Sequence, residues 1–299
     1  MGHQPVYLAA LDDRGAIRGV LPLFHLRSPV FGERLVSMPF LNDGGPLGDE
    51  EAGKALLVHA RELAARHGGR LELRTRTSLP DSAKEPPKVT VLLDLPTDIE
   101  ELWNGGFTSN LRRKIRKPQK AGMTSRFGQN QLPAFYSVWS ENMRDLGTPV
   151  LPVSFFEAVA RAFSDLVLIG AVYREDEPVA AGFGLLFRGE FEFTWVSALR
   201  KYGNEGANLL LYWDFIRQVA AEGCRVFNFG RSTPGEGTHL FKQQWGGRTV
   251  PLPWVISDSG EKDGGPGRLA RTASDLWKKV PLPVANRLGP VLARQLPWW

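Results

Sequence analysis

The chain has 299 residues, 42% of them hydrophobic, which suits two ordinary domains or one large one with real cores and excludes a disordered polymer. Its net charge of +5 conceals a segregation: Thr108–Arg126 carries seven bases and no acid, and Gly264–Trp299 carries six bases against Asp275 alone, so the remaining body is acidic. The single cysteine, Cys224, excludes a disulfide framework, a cysteine-based zinc site and a CxxC redox pair; no apolar run approaches a membrane span, the N-terminus lacks a signal-peptide pattern, and a reducing cytosol is the expected compartment.

Gly and Pro, 32 and 22 residues, punctuate short apolar runs that alternate between strand and helix patterns, so the reading is an α/β or α+β protein. Strands are expected at Val6–Ala10, Ile17–Phe24 and Arg34–Ser37, followed by the Gly/Pro/Asn loop Asn42–Gly48. Glu50–His67 has helical spacing and stops at Gly68-Gly69; Arg70–Arg74 and Val89–Leu95 are further strands. Thr97 or Asp98 can cap a short helix reaching Trp103, and Ser109 can cap a basic helix limited by Pro118 and Gly122. In the second half, helices Leu132–Leu146 and Ser154–Phe163 precede three antiparallel strands, Val167–Tyr173, Pro178–Phe187 and Glu190–Ser197. A long helix follows at Ala207–Glu222, then a strand at Arg225–Phe229.

The densest group of chemistry-bearing residues is Phe227-Asn228-Phe229-Gly230-Arg231-Ser232, followed by Gly235, Gly237, Phe241-Lys242 and Trp245-Gly246. A strand ending in Gly-Arg-Ser puts a guanidinium and a hydroxyl at the carboxyl edge of a sheet, where α/β proteins gather ligands. From spacing alone, ligand binding and mere anchoring of the loop weigh equally. Ser232 does not sit in a GxSxG elbow and His239 completes no triad, which disfavours serine-hydrolase chemistry. His59 and His67 are too far apart on one helix to share a metal, and no metal is expected.

This run, with Gly19–Phe24, Leu26-Arg27-Ser28, Phe31-Gly32, Leu35–Phe40, Gly44-Gly45-Pro46 and Leu71-Glu72-Leu73-Arg74, resembles the FemAB-like acyltransferases. These are relatives of the Gcn5-related N-acetyltransferases, and the closer likeness is to the subgroup associated with exosortase and PEP-CTERM exopolysaccharide systems. The resemblance spans about Val6 to Trp254. It implies tandem acetyltransferase-like domains with mixed central sheets flanked by helices: a first domain over 1–96 that begins inside its usual start, a second over 97–256, and a tail over 257–299. Members usually carry Asp where Asn228 stands.

The implied reaction moves an acyl group to an amine, or a hydroxyl, of a sugar- or peptide-bearing envelope precursor. Such a reaction needs a base for the nucleophile and donors for the developing oxyanion. The Phe-Lys pair of Fem-type transferases matches Phe241-Lys242, so Lys242, Arg231 and Ser232 are the expected catalytic residues, and Lys242→Met is expected to end turnover at little cost in stability. Asn228, Phe241, Trp245, Tyr202, Arg112 and Arg116 are the expected substrate contacts. Acyl-CoA, in the simplest case acetyl-CoA, is the expected donor, held near Gly203, Asn204, Gly206 and Asn208 where a partial phosphate-loop pattern precedes the long helix; Glu205 departs from that pattern. Glu192 and Asp214 are weighed as general bases and read as exposed.

The basic helix offers phosphate binding or a plain solvated face, and without interleaved aromatics it disfavours sequence-specific nucleic-acid recognition. The basic tail with its Trp residues suits either an anionic lipid surface or packing across the domains. The expected location is cytoplasmic, with peripheral contact at the inner membrane face. The rivals are an aminoacyl-tRNA-dependent peptidoglycan-bridge transferase and a non-catalytic membrane-surface scaffold.

Overall fold

The computed structural model describes residues 1–29, 31–257 and 268–296, and it resolves the chain into two mixed sheets flanked by helices. The first begins with a long hairpin, β1 (Gln4–Leu11) and β2 (Ile17–Ser28). Asp12 sets its turn by accepting the backbone N–H groups of Arg14 and Ala16, each at 2.9 Å. β3 (Gly32–Ser37) is antiparallel to β2, and the short β4 (Leu47–Gly48) also pairs with β2. Helix α1 (Glu50–Arg66), capped by the Asp49 side chain on Ala52 N–H, then crosses over to β5 (Leu71–Leu73), which lies parallel to β3. Ala52, Leu56, Leu57, Ala60 and Ala64 bury this helix on Leu21, Leu23, Leu35, Leu71 and Leu73.

The second unit opens with β6 (Lys88–Asp94), α2 (Ile99–Glu101) running into a π turn at Leu102–Gly106, and the basic helix α3 (Ser109–Lys120). β7 (Thr124–Phe127), α4 (Leu132–Asp145) and α5 (Val153–Ala162) follow. Three antiparallel strands come next, β8 (Val167–Arg174), β9 (Glu177–Phe187) and β10 (Glu190–Ala198). Helix α6 (Ala207–Ala221), β11 (Val226–Ser232), α7 (Gly237–Gln243), β12 (Arg248–Leu252) and β13 (Val255–Ser257) complete the unit. The strand order is β12-β6-β11-β10-β9-β8-β7. Helices α3 and α6 pack on one face with Phe191, Phe193, Phe215, Phe227 and Trp245; α4 and α5 pack on the other with Phe135, Phe156, Phe183 and Trp195.

Two strand assignments move the expected domain boundaries. β6, placed in the first domain by the boundary at 96, pairs antiparallel with β11 in the second sheet. β13, placed in the second domain, returns to pair with β5 in the first. β4, β7, β12 and β13 were not expected: each has five residues or fewer, and β12 is an edge strand that tolerates Pro251. Thr108, not Ser109, caps α3 by accepting Leu111 N–H, and the helix runs through Pro118 to Lys120. In the tail, α8 (Arg268–Trp277) and α9 (Leu282–Ala293) form, and α9 lays Ala285, Gly289 and Ala293 against the second unit at α4 and Val150. Trp298 and Trp299 of the expected lipid-facing tail lie outside the described residues.

β10 and β11 pair in parallel only over Glu190–Glu192 and Val226–Asn228. Each strand then carries an extra residue against its antiparallel neighbour, β10 between Glu192 and Trp195 and β11 between Asn228 and Arg231. Because side chains alternate along a strand, the extra residue returns Arg231 to the face that Asn228 occupies, away from Phe227 and Phe229. Gly230 makes this possible: its φ is +70°, and a Cβ there would lie 2.9 Å from Phe193 O and 3.0 Å from Asn42 Nδ2. Gly230→Ala is therefore expected to cost about 1–3 kcal/mol in urea denaturation. Gly53→Ala, inside α1 with nothing within 4 Å of the added methyl, should be neutral or stabilising by up to about 1 kcal/mol.

Candidate active site at the seam of the two sheets

The loops after β3 and β5 reach across to the second sheet. In the first of them Met38 and Phe40 sit at φ +44° and +76°, and Gly44 and Gly45 press so closely on Met38 and Thr75 that a Cβ would lie 2.4 and 2.8 Å from those side chains. Only glycine permits that approach, and it folds Asn42 and Asp43 over β10. There the Arg76 guanidinium meets three carboxylates: its Nε is bonded to Asp43, NH1 lies 2.8 Å from Glu190 and NH2 3.1 Å from Glu192. Burial opposes the guanidinium charge, but Asp43, Glu190 and Glu192 outweigh it and hold the pKa above its ordinary value.

Asn228 completes this hub. Its amide nitrogen donates to Glu190 at 2.9 Å and Glu192 at 3.3 Å, while its oxygen accepts Gly230 N–H at 2.9 Å and lies against the Thr90 hydroxyl. An aspartate here would add a fourth carboxylate and lose both donated bonds, so the amide is the side chain this network requires. Asn42 donates to the other Glu192 oxygen at 2.8 Å. Glu192 was read as exposed; its side chain is 16% accessible and locked in the hub. Burial, then Asp43, pushes its pKa up, with Arg76 opposing. Asp214 is also shielded, bonded to Ser125 at 2.6 Å, and burial raises its pKa.

Beside the hub lies a cluster of cations. Arg74 is buried, its Nε on Glu72 at 2.7 Å and NH1 on Leu41 O at 3.1 Å. Arg74 and Arg231 both stack on Trp254, 5.2 and 5.8 Å from the ring centre. Burial, then Arg74, lowers the Arg231 pKa to about 10. Lys88 donates to Thr233 at 2.7 Å, and burial followed by Arg231 lowers its pKa. Lys242 is buried and donates to Gly230 O and Arg231 O, each at 2.9 Å, leaving one ammonium N–H; burial, then Arg231, lowers its pKa to about 7. The Ser232 hydroxyl and Trp254 indole N–H are buried without a hydrogen-bond partner among the described residues. Phe241 packs edge-on against Tyr212, and Trp245 is fully buried against Phe107 and Tyr212.

The expected donor-binding residues gather at the start of α6. Gly206 has φ +84° and faces Lys114 O of α3, and Lys117 donates to Asn204 O at 2.6 Å, so the basic helix lies beside this turn. Glu205, the departure from the phosphate-loop pattern, pairs with Arg174 at 2.8 Å. Around Gly203 there is open space, Asn208 Oδ1 accepts Leu209 N–H, and the Tyr202 hydroxyl is bonded to Glu177. On α3, Arg112 is committed to the carbonyls of Trp103, Asn104 and Phe107, while Arg116 stacks on Trp103 at 5.2 Å. Arg113, Lys114, Arg116, Lys117 and Lys120 are exposed and have no carboxylate partner among the described residues.

Sequence reasoning found Asn228, Arg231 and Lys242 but not Asn42, Asp43, Arg76, Thr90 or Glu190. The alternation of Glu190 and Glu192 with buried Phe191 and Phe193 was the signal for one of them. One group of possible metal ligands occurs among the described residues, far from this seam in sequence: His25, Glu33 and His67, whose ligand atoms lie within 4.8 Å of one another, His25 being 2.7 Å from Glu33.

Residues 106–243 match a family described as an acetyltransferase (GNAT) domain. Among solved structures the chain is similar to FemX, at 14% identity and TM-score 0.62 over 85% of this chain and 88% of that one. It is likewise similar to the C-terminal domain of an Agrobacterium fabrum protein designated a lysylphosphatidylglycerol synthetase, at 14% identity and TM-score 0.61 over 90% and 86% of the two chains. A tandem GNAT protein from the clavulanic acid biosynthesis pathway matches at 13% identity and TM-score 0.51 over 87% and 85%. No curated protein matches the sequence. The chain thus has a fold like that of tandem GNAT proteins, with the acetyltransferase (GNAT) domain match confined to residues 106–243.

Burial corrects the expectation that Lys242→Met is structurally silent, since it strips the donor from two strand-end carbonyls. The lowered Lys242 pKa also fixes a sign. Between about pH 7 and its unfolded value near 10.5 the unfolded chain binds the extra proton, so stability rises with pH there by up to about 1.4 kcal/mol per unit. Relative to wild type, Lys242→Met is expected to flatten that slope in denaturation curves measured from pH 7 to 9.5.

Proposed function

We propose that the chain is an N-acyltransferase that moves an acyl group from acyl-CoA to an amine, or a hydroxyl, of a sugar- or peptide-bearing cell-envelope or exopolysaccharide precursor. The observation that carries this reading is the position of Glu192 where the parallel pairing of β10 and β11 stops, and of Lys242 on α7, which donates to Gly230 O and Arg231 O at the end of β11, within the acetyltransferase-like region. Glu192, a carboxylate whose proton affinity is raised by burial, is the proposed base for the nucleophile. Lys242, next to Phe241 on α7, is proposed to present its remaining N–H to the developing oxyanion. Gly203, Asn204 and Gly206 at the start of α6, with Lys117 alongside, are proposed to take the donor's phosphates.

The exposed cations of α3 favour one rival, an aminoacyl-tRNA donor of the kind proposed for a peptidoglycan-bridge transferase. Assays with labelled acetyl-CoA and with charged tRNA against an amino-sugar acceptor separate the two. Label transfer from acetyl-CoA that falls at least 100-fold in Glu192→Gln is the expected outcome, and transfer from charged tRNA alone replaces the reading with its rival. The finer assignment to an exosortase-associated polysaccharide system predicts neighbouring sugar-transferase and exosortase genes.

A peripheral membrane position at the cytosolic face completes the proposal. Helix α9 turns its small residues inward and leaves Val284, Leu288, Val291 and Leu292 to solvent around Arg287, with Leu288 and Val291 48% and 65% exposed and Lys278 and Lys279 preceding the helix. Co-sedimentation with vesicles containing phosphatidylglycerol is expected for the full chain and should fall at least tenfold in Leu288→Glu/Val291→Glu. Equal binding by the variant removes the membrane role of this helix.

A further inference from the structure

We infer that Arg231 and Lys88 form a receptor site for an oxyanion, a phosphate or carboxylate group carried by the acceptor of the proposed transfer. The inference rests on that reading for the word acceptor, and on geometry alone for the site.

The strand bulge at Phe229-Gly230 turns Arg231 toward the seam, and its register partner Thr90 lies two residues from Lys88 on β6. Lys88 and Arg231 are therefore diagonal neighbours on one face of adjacent strands, with Trp254 as the floor under the guanidinium. Among the described residues the Arg231 guanidinium makes no hydrogen bond or ion pair; the ring contact with Trp254 is its one specific partner. Arg74, stacked on the same ring, does not need the same ligand, because Glu72 already holds it.

The cluster works against itself as it stands. Arg74 opposes the charge of Arg231, and Arg231 opposes the charges of Lys88 and Lys242. Glu192, Glu72 and, at Lys88, Glu236 offset this only in part, and Glu192 is engaged by Arg76. Partly shielded cations with incomplete counter-charge are costly to hold, and an entering anion would relieve all of them together. The planar guanidinium fork matches the two oxygens of a carboxylate or phosphate, and the ammonium of Lys88 adds a point charge. This distinguishes the site from α3, whose cations other than Arg112 are exposed and screened.

The test reads binding without any acyl donor. Wild-type full-length protein is titrated by calorimetry with inorganic phosphate and, separately, with acetate; the anion giving the tighter isotherm identifies the group. Arg231→Gln and Lys88→Gln are each expected to weaken that binding at least tenfold, whereas Arg113→Gln/Lys120→Gln on α3 leaves it within twofold. The anion-free Arg231→Gln protein should also melt no lower than wild type, because removing it relieves repulsion; should it melt lower, Lys88→Gln carries the test. Binding unchanged in both seam variants, or no isotherm with either anion, overturns the site. Anion binding lost in the seam variants of a chain that transfers no acyl group would keep the site and discard the transfer reading, so the two failures are distinguishable.

Discussion

Arg76 is the interaction on which the arrangement depends. One guanidinium from the end of β5 neutralises Asp43 of its own unit and Glu190 and Glu192 of the other, and without it three carboxylates would share a partly desolvated seam. Its planar fork spreads five N–H donors across three acceptors, whereas a lysine ammonium offers three donors from a single point. The seam is thereby fixed from both sides: glycines 44 and 45 bring the first unit's loop close, and the Asn228 amide presents donors to two of the same carboxylates. The position of Glu192, and through it the proposed base, is a consequence of that tie.

Most of the fold was legible in the sequence because its signals are local. The antiparallel strands β8 to β10, helix α6 and strand β11 fall within a few residues of where alternation and helical spacing put them, and β11 does end in Gly-Arg-Ser. What escaped was non-local. β6 and β13 each have a good strand pattern, but nothing in that pattern says which sheet will accept them. The site followed the same rule: Asn228, Arg231 and Lys242 lie within 15 residues and announced themselves, whereas Asn42, Asp43 and Arg76 come from another part of the chain and meet them only through backbone geometry at Met38, Phe40 and Gly44. Glu192 looked like an ordinary outward strand residue because its covering loop is remote in sequence.

The two groups of basic residues also differ in kind, which composition could not tell. The cations of α3 are exposed, close in sequence and screened by solvent, so they suit long-range attraction of any polyanion. Those of the seam come from four separate elements, are shielded, and perturb one another, so they suit recognition of one group at one place.

The return of β13 to β5 has a bearing on how the chain acquires its structure. The first sheet's last strand is made only after the whole second sheet has been synthesised, so the β5 edge stays open while some 180 residues emerge. Pairings of such sequence separation carry a large loop-closure cost and form late. The first sheet is thus laced around the second, and it is not finished when its own stretch of chain leaves the ribosome. An early-folding hairpin with a waiting edge invites chaperone engagement, and it makes the molecule a single unit of assembly despite its two cores.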